Sequence, residues 1–252
     1  MWKPIKSHLI SGLSIITYNP SLKSLTKDIK KLADPKRATS SQWFFKTGKG
    51  QYGYGDQFVG LNSATQRLLA KKYSHLGFRE IETLLKSKIH EERQIGFLIL
   101  VIQFNRGEQS QKTRIYKFYL DHIDRVNNWD LVDLSADKIL GAYLLGKPTG
   151  ILNKLARSQN LWERRVAIIA TYHFIKQNQF AKTLEIAEIL LQDKHDLIHK
   201  AVGWMLREVG NRSLPTEIKF LKKHYKIMPR TMLRYAIEKF PEKQRKFYMA
   251  KN

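Results

Sequence analysis

A tryptophan and a carboxylate share one predicted helix face in the segment NNWDLVDLSADKIL, residues 127–140. Trp129 and Asp133 are four residues apart, so on a helix that begins near Asn128 their side chains lie on the same side. Apolar residues flank Asp133, which places its carboxylate at the border of an apolar face. A carboxylate beside an indole can stabilise a cation. The alternative is a structural ion pair, for example between Asp133 and Arg165.

Four further residues have an ordinary interpretation, and three of them have a functional one as well. Asp130 points to another side of the helix, and we interpret it as a first-turn acid favoured by the helix dipole. Arg164 and Arg165 open a second helical segment, where their charge opposes the dipole, so they are either phosphate ligands or solvated surface arginines. Trp204 lies beside small residues in AVGWMLRE, which indicates tight helix packing or access for a ligand, with a core tryptophan as the alternative.

Two motifs that resemble metal or phosphate sites are weak. His195 and His199 have the spacing of two metal ligands on a helix, but no third ligand is evident, so we predict no metal. Gly48, Gly50 and Gly53 match G-x-G-x-x-G, but a helix end precedes them where a dinucleotide site requires a strand. We predict an ordered loop between helices at residues 46–60, and no bound cofactor.

The charge balance favours a polyanionic partner. The chain of 252 residues has 45 Lys and Arg against 22 Asp and Glu, a formal charge of +23. This indicates nucleic acid first and an anionic membrane surface second. The chain has no cysteine, which excludes disulfides and thiolate chemistry and fits a reducing cytoplasm. Residues 1–20 contain an apolar stretch too short to span a membrane, and we predict a helix there.

Helical periodicity dominates the elements that must position these residues, and no segment alternates like a strand. Three strongly apolar segments are predicted as the more buried helices of antiparallel pairs: residues 90–107, 160–178 and 195–211. Three amphipathic segments are predicted as their partners: residues 112–126, 149–159 and 180–192.

A recurring pattern predicts how these helices stack. ERQIGFLIL (92–100), ERRVAIIAT (163–171) and IHKAVGWML (198–206) each place a small residue inside an apolar run after a polar or basic start. Their spacings of about 71 and 35 residues fit two periods and one period of a helical-hairpin repeat. We therefore predict an all-α, right-handed solenoid of HEAT-like repeats with a concave basic groove. Unrelated amphipathic helices are the alternative.

Taken together, these residues resemble the AlkD family of DNA alkylation repair glycosylases, which are HEAT-like-repeat proteins. NNWDLVDLSADKILGAYLL is similar to the family's W-D-x-V-D helix, NLWERRVAII to its W-x-x-R helix, and IHKAVGWMLRE to its K-A-I-G-W-x-L-R-E helix. FFKTGKGQYGYGDQFVG is similar to the N-terminal region of many members, although Phe44 replaces a tyrosine of some. The likeness covers roughly residues 38–230, within one domain whose additional helices lie in 1–37 and 231–252.

The resemblance implies a hydrolase of base excision repair that releases 3-methyladenine and 7-methylguanine from duplex DNA. Asp133 would be the catalytic carboxylate, and Trp129 and Trp204 would flank the lesion nucleotide. It implies a cytoplasmic monomer, at the nucleoid when bound to DNA, with no cofactor and no membrane contact. The basic residues implied in DNA binding are Arg165, Arg164, Arg207 and Lys200.

Two other functions share parts of this pattern. A non-catalytic HEAT-repeat protein that binds bent or branched DNA would have the same fold and charge. However, phosphate binding alone does not require a carboxylate at the edge of an apolar face. A helical-repeat scaffold for protein partners is the second alternative, and a charge of +23 is unusual for it.

Overall fold

The computed structural model describes residues 21–250, so the helix expected in residues 1–20 lies outside the described part. Across 21–250 the chain is helical and has no strand, apart from one isolated bridge between Gln57 and Ile89. The all-α prediction is confirmed. The α-helices are α1 (Leu22–Lys31), α2 (Pro35–Phe44), α3 (Ser63–Lys72), α4 (Phe78–Leu85), α5 (His90–Arg106), α6 (Gln109–Asp121), α7 (Trp129–Ser135), α8 (Ala142–Leu144), α9 (Gly150–Ala156), α10 (Leu161–Ala170), α11 (Tyr172–Lys176), α12 (Ala181–Ile189), α13 (Asp196–Arg212), α14 (Leu214–His224), α15 (Arg230–Ala236) and α16 (Glu242–Met249).

Six helices form a continuous row through the molecule. In the order α3, α5, α7, α10, α13 and α15, each helix packs against the next. Five other helices flank this row: α4 and α6 pack on α5, α9 on α10, and α12 and α14 on α13. The apolar middles of the row helices are fully buried, as Ile99, Val132, Ile168 and Val202 illustrate. This is the arrangement of stacked helical hairpins.

The recurring sequence pattern marks positions in this row. Its three copies fall on α5, α10 and α13. Since α7 lies between α5 and α10, the first two copies are two steps apart and the last two are one step apart. The observed spacings of about two periods and one period follow from this order.

Local departures from the predicted elements have identifiable causes. The helix predicted over 160–178 is interrupted at Thr171, whose buried hydroxyl donates to the carbonyl of Ile168 at 2.7 Å. A π-helical turn, Asp137–Gly141, follows α7 and leads into the short α8. No helix within residues 21–250 has the length and apolarity needed to cross a membrane.

Close helix packing explains the small residue before Trp204. A Cβ atom added at Gly203 would lie 2.4 Å from the carbonyl oxygen of Met232 and 2.5 Å from Cβ of Tyr235. Both distances are far below van der Waals contact, so only glycine allows α13 to approach α15 this closely. Of the two interpretations offered for the small neighbours of Trp204, the structure shows tight packing.

The glycine-rich segment 46–60 is an ordered loop, as predicted, and no strand precedes it. Its end is fixed by the buried carboxylate of Glu91 in α5. This carboxylate accepts backbone N–H groups from Val59 at 3.2 Å, Gly60 at 2.7 Å and Leu61 at 3.2 Å. Three hydrogen bonds to one buried charge compensate for its desolvation. The loop is thereby held against the first turn of α5, next to α7.

Candidate active site

Asp133 and Arg165 form a two-point ion pair at the centre of the row. Nε of Arg165 lies 3.0 Å from Oδ1 of Asp133, and Nη2 lies 2.8 Å from Oδ2. Nη1 of Arg165 also donates to the carbonyl of Leu197 at 2.6 Å, in the first turn of α13. The arginine thus joins α7, α10 and α13. The structural pair offered as the alternative for Asp133 is present.

Asp133 is the accessible member of this pair. Its side chain is 21% exposed, against 6% for Arg165. Burial raises the pKa of Asp133 above its ordinary value, while the Arg165 guanidinium opposes part of that rise. A carboxylate has about four lone-pair directions and the guanidinium fork occupies two. At its exposed edge Asp133 can therefore accept further bonds or face a cation.

Trp129 is held rigidly at the start of α7. The side chain of Asn128 caps the helix by accepting the backbone N–H of Trp129 at 2.8 Å. The indole stacks on Phe45, with ring centroids 5.4 Å apart and planes 21° apart, and Phe44 meets it edge-on at 5.9 Å. Since α7 is helical from residue 129, Trp129 and Asp133 share a face as the sequence predicted.

The glycine-rich loop supplies Tyr52 to the same place. Its ring meets Trp162 of α10 edge-on, with centroids 6.0 Å apart. Burial raises the pKa of Tyr52, and the facing indole N–H of Trp129 opposes the rise. The charges of Asp130, Lys200 and Arg165 also act on the Tyr52 hydroxyl. The loop therefore closes one side of the Asp133 site.

A buried network of charges lies beneath Trp129. His90 is 1% exposed and has a carboxylate on each ring nitrogen: Asp56 at 3.0 Å from Nδ1 and Asp130 at 2.8 Å from Nε2. Arg93 donates to the other oxygen of Asp56 at 2.6 Å. Burial alone would lower the pKa of His90, but the two carboxylates outweigh it and raise the pKa to about 9. His90 is therefore a cation at neutral pH.

This network adds a second role to Asp130. The sequence predicted a first-turn acid stabilised by the helix dipole, and Asp130 does accept the backbone N–H of Leu131 at 2.9 Å. Its second oxygen, however, binds His90 and so ties α7 to α5. The imidazole ring also packs against both Phe45 and Phe58, with ring centroids 4.9 Å and 4.8 Å away. Phe45 thus contacts both His90 and Trp129.

Trp204 lies in the middle of α13 and is partly buried. Its indole N–H donates to Oε1 of Glu208 at 3.1 Å, and its ring lies 5.8 Å from that of Tyr172. It follows Lys200 by four residues and so shares its helix face. The Lys200 charge acts on the hydroxyl of Tyr52. This face of α13 is therefore directed toward Tyr52 and the glycine-rich loop.

The four basic residues expected to bind DNA all have acidic partners within the chain. Arg165 is buried against Asp133, and Nε of Arg164 binds the buried Asp193 at 2.6 Å. In this geometry the guanidinium forks of both residues are used within the protein, and their contacts with DNA stay a prediction. Arg207 pairs with Glu238 and Lys200 pairs with Asp196, acids that are 48% and 55% exposed. Exposed pairs are weak, so these two cations can exchange their partners for a phosphate.

The histidine pair of α13 has backbone roles. Nδ1 of His195 caps the helix by accepting the N–H of Leu197 at 3.1 Å, and Nε2 of His199 lies 2.5 Å from the carbonyl oxygen of Asp193. Within residues 21–250, no three His, Asp or Glu side chains converge as metal ligands would.

Sequence reasoning missed Tyr52, Asp56 and His90 as parts of the site. Asp56 and Asp130 are 74 residues apart in the chain and meet only through His90. Asp56 is the single acidic residue of the glycine-rich segment 46–60, and this was the available signal.

Comparison with known proteins gives one family and a set of related folds. Residues 25–240 match the family described as DNA alkylation repair enzyme. A predicted DNA alkylation repair enzyme from Enterococcus faecalis superposes with a TM-score of 0.67 at 17% identity, over 83% of this chain and 97% of that one. AlkD2 from Streptococcus mutans gives 0.56 at 16% identity, over 88% and 100%. At such identities the structures establish a shared fold alone, and no curated protein matches the sequence.

Proposed function

We propose, because this chain belongs to the family of DNA alkylation repair enzymes, that it is a DNA glycosylase for positively charged N3- and N7-alkylated purines in duplex DNA. The observation that carries the proposal is the half-buried carboxylate of Asp133. It lies one helical turn after Trp129 and is fixed in place by Arg165. A carboxylate held in this way at an accessible edge suits a reaction that develops positive charge.

The chemistry of cationic lesions explains why one carboxylate suffices. A 7-methylguanine or 3-methyladenine nucleotide already carries a positive charge, so the base departs neutral without a general acid. The bond that breaks joins C1′ of the sugar to the base, and the transition state leaves oxocarbenium-like charge on the sugar. Water then adds at C1′ and gives up a proton. Asp133 faces the developing charge and holds the attacking water.

The magnitude is adequate for a large rate effect. Two opposite charges about 4 Å apart attract by about 4 kcal/mol at an effective dielectric constant near 20. Since about 1.4 kcal/mol corresponds to a factor of ten in rate, this contribution can reach about a thousandfold. The paired guanidinium of Arg165 reduces the field of Asp133, so a hundredfold to a thousandfold is the expected range.

Arg165 is proposed as a positioning residue. Its fork fixes the rotamer of Asp133, and its charge opposes the rise in the pKa of Asp133 that burial causes. Both effects keep an ionised carboxylate in one orientation. The backbone carbonyl of Leu197 fixes the arginine in turn, so the geometry of the site depends on the packing of α7, α10 and α13.

The two tryptophans are proposed to bracket the lesion nucleotide. Trp129 is the first residue of α7, one turn before Asp133, and Trp204 lies about two turns beyond Leu197 in α13. Since Arg165 connects Asp133 to Leu197, the two indoles belong to the two helices, α7 and α13, that this arginine joins. Each indole face favours a neighbouring cation by about 0.5 to 2 kcal/mol.

One observation favours the alternative function, a non-catalytic protein that binds bent or branched DNA. The Asp133–Arg165 pair is complete on its own and would persist in a protein that uses it only for packing. The two functions differ in their response to lesion charge, because a binding protein releases no base from any substrate.

The test compares base release from duplex oligonucleotides that each contain one modified base. The glycosylase should excise 7-methylguanine and 3-methyladenine but leave uracil and hypoxanthine, because these neutral bases need the protein to protonate or stabilise the leaving group. Efficient uracil release would contradict this mechanism, and no release from any substrate would favour the binding protein. Duplex affinity measured alongside should fall with a slope of about −5 in log K against log salt, if about six phosphates are engaged.

A further inference from the structure

We propose that an exposed aromatic and basic surface beside Trp129 binds unstacked nucleotide bases next to the lesion. This surface, the aromatic patch, consists of Trp43, Phe44 and Tyr54 together with Lys46 and Lys49. It rests on the proposed DNA binding of the chain but not on the glycosylase reaction. Its ligand is a single-stranded or locally unpaired stretch of DNA.

The exposure of these aromatic rings is large. Trp43 is 84% exposed, Tyr54 67% and Phe44 56%. Scattered apolar residues on a surface are ordinary, but three exposed aromatic residues on two backbone segments that touch each other are of the kind that marks an interaction site. By contrast Phe45, between Phe44 and Lys46 in the sequence, is partly buried and stacks on Phe58 with centroids 5.1 Å apart. The exposed rings are therefore presented from a fixed base.

Backbone contacts bring the two halves of the aromatic patch together. The N–H of Gly53 donates to the carbonyl of Lys46 at 3.1 Å, which places Tyr54 beside the end of α2. A Cβ at Gly53 would lie 2.3 Å from the carbonyl oxygen of Phe45, so the backbone at Gly53 touches the backbone at Phe45. The N–H of Lys46 also donates to the carbonyl of Trp43 at 3.2 Å.

The charge of this surface selects a polyanion. Residues 35–55 contain four Lys or Arg and no Asp or Glu. Among residues 21–250, Lys46 and Lys49 form no ion pair. They differ in this from the basic residues discussed above, which are Arg164, Arg165, Lys200 and Arg207. Flat rings interleaved with lysines are the combination by which proteins hold single-stranded nucleic acid, with bases on the rings and phosphates on the lysines.

Position and ring geometry together favour unstacked bases over an intact duplex. Phe44 contacts Trp129 edge-on at 5.9 Å, so the aromatic patch continues from the proposed lesion site. Within a duplex each base face is covered by its neighbours, and only base edges and phosphates are accessible. A ring can stack on a base only after that base has left the helix. Lysines alone would serve an intact duplex equally well.

The experiment measures binding of the full chain to three undamaged DNAs: an intact duplex, the same duplex with a three-nucleotide gap, and a single strand. A 2-aminopurine in the gap reports stacking, because its fluorescence falls when a ring stacks on it. We expect Trp43→Ala and Tyr54→Ala each to weaken binding to gapped DNA by about tenfold, as loss of one stacked base does. Intact-duplex affinity should change less than twofold.

Two control variants make the result specific. Trp43→Phe keeps a ring and should retain most gapped-DNA affinity and most quenching of 2-aminopurine. Phe247→Ala removes another exposed ring, 65% exposed in α16, and should change nothing. Equal losses on gapped and intact DNA, or no loss, would overturn the proposal. So would a dimer in sedimentation velocity that Trp43→Ala dissociates, since the patch would then bind protein.

These outcomes are separable from failure of the proposed function. If the wild type excises 7-methylguanine while the alanine variants bind gapped DNA normally, the aromatic patch is wrong and the glycosylase stands. If the variants lose gapped-DNA binding and no base is released from any lesion, the patch is right and the glycosylase is wrong.

Discussion

The buried charge of His90 makes the stability of the fold depend on pH. His90 bridges Asp56 of the glycine-rich loop and Asp130 of α7, and its pKa is raised from 6.5 to about 9. A group with a raised pKa in the folded state binds protons more tightly there than in the unfolded chain. Its contribution to stability is therefore fully present below about pH 6.5 and is lost as the pH rises through about 9.

The size of this contribution follows from the pKa values. A rise from 6.5 to about 9 corresponds to about 3 kcal/mol of unfolding free energy. His90 is 1% exposed, so solvent screening does not diminish the figure. The substitution His90→Gln removes this contribution, because glutamine has a similar volume and no titratable proton. The assay is urea unfolding followed by circular dichroism at pH 6 and pH 10.

Other groups titrate between pH 6 and pH 10 as well. The quantity compared is therefore a double difference: the loss of unfolding free energy between these pH values in the wild type, minus the same loss in His90→Gln. Burial raises the pKa of Glu217 to about 8, and the stability it contributes is lost as the pH rises through that value in both proteins. Between pH 6 and pH 10 the wild type should lose about 3 kcal/mol more than His90→Gln. A double difference below about 1 kcal/mol would contradict the raised pKa, because His90 would then be neutral between its two carboxylates.

Two further predictions concern the pKa of Asp133 and the packing of α13. Arg165→Ala removes the charge that opposes the raised pKa of Asp133, so the pKa should rise further. In a plot of the single-turnover excision rate against pH, the fall in rate at acidic pH should therefore begin at a higher pH. If its position does not change, Asp133 does not act as an anion. Gly203→Ala should lower the unfolding free energy by about 1 to 3 kcal/mol, because its Cβ would meet the Met232 carbonyl. Gly150→Ala is the control and should not lower it, because a Cβ at Gly150 meets no atom within 4 Å. Thermal unfolding of both variants tests this, and equal stability would contradict the close packing.

The stacking of helices could be predicted from the sequence because its determinants are local. Apolar periodicity defines α5, α10 and α13, and the spacing of their small residues gives the repeat. The ion pair of Asp133 with Arg165 was also within reach, since it joins neighbouring members of one row. Its distance of 32 residues is about one repeat.

The partners of two other arginines follow the same spacing, whereas those of His90 do not. Arg164 binds Asp193 and Arg207 binds Glu238, which lie 29 and 31 residues further along the chain. Each pair again spans about one repeat, so an acid one repeat away was a usable signal that such an arginine bonds within the protein. The contacts of His90 have no such regularity, because the glycine-rich loop lies outside the repeat.

If the charge of Asp133 drives excision, removing that charge alone should slow base release. Single-turnover release of 7-methylguanine from a methylated duplex is measured for the wild type and for Asp133→Asn. Asparagine keeps the shape and can still accept a hydrogen bond from Arg165, but it has no charge. Circular dichroism and duplex affinity, expected within about threefold of the wild type, verify that the variant is folded and binds DNA. The rate should fall by about a hundredfold to a thousandfold. A folded Asp133→Asn variant that excises at the wild-type rate would contradict the account and leave Asp133 as a structural partner of Arg165.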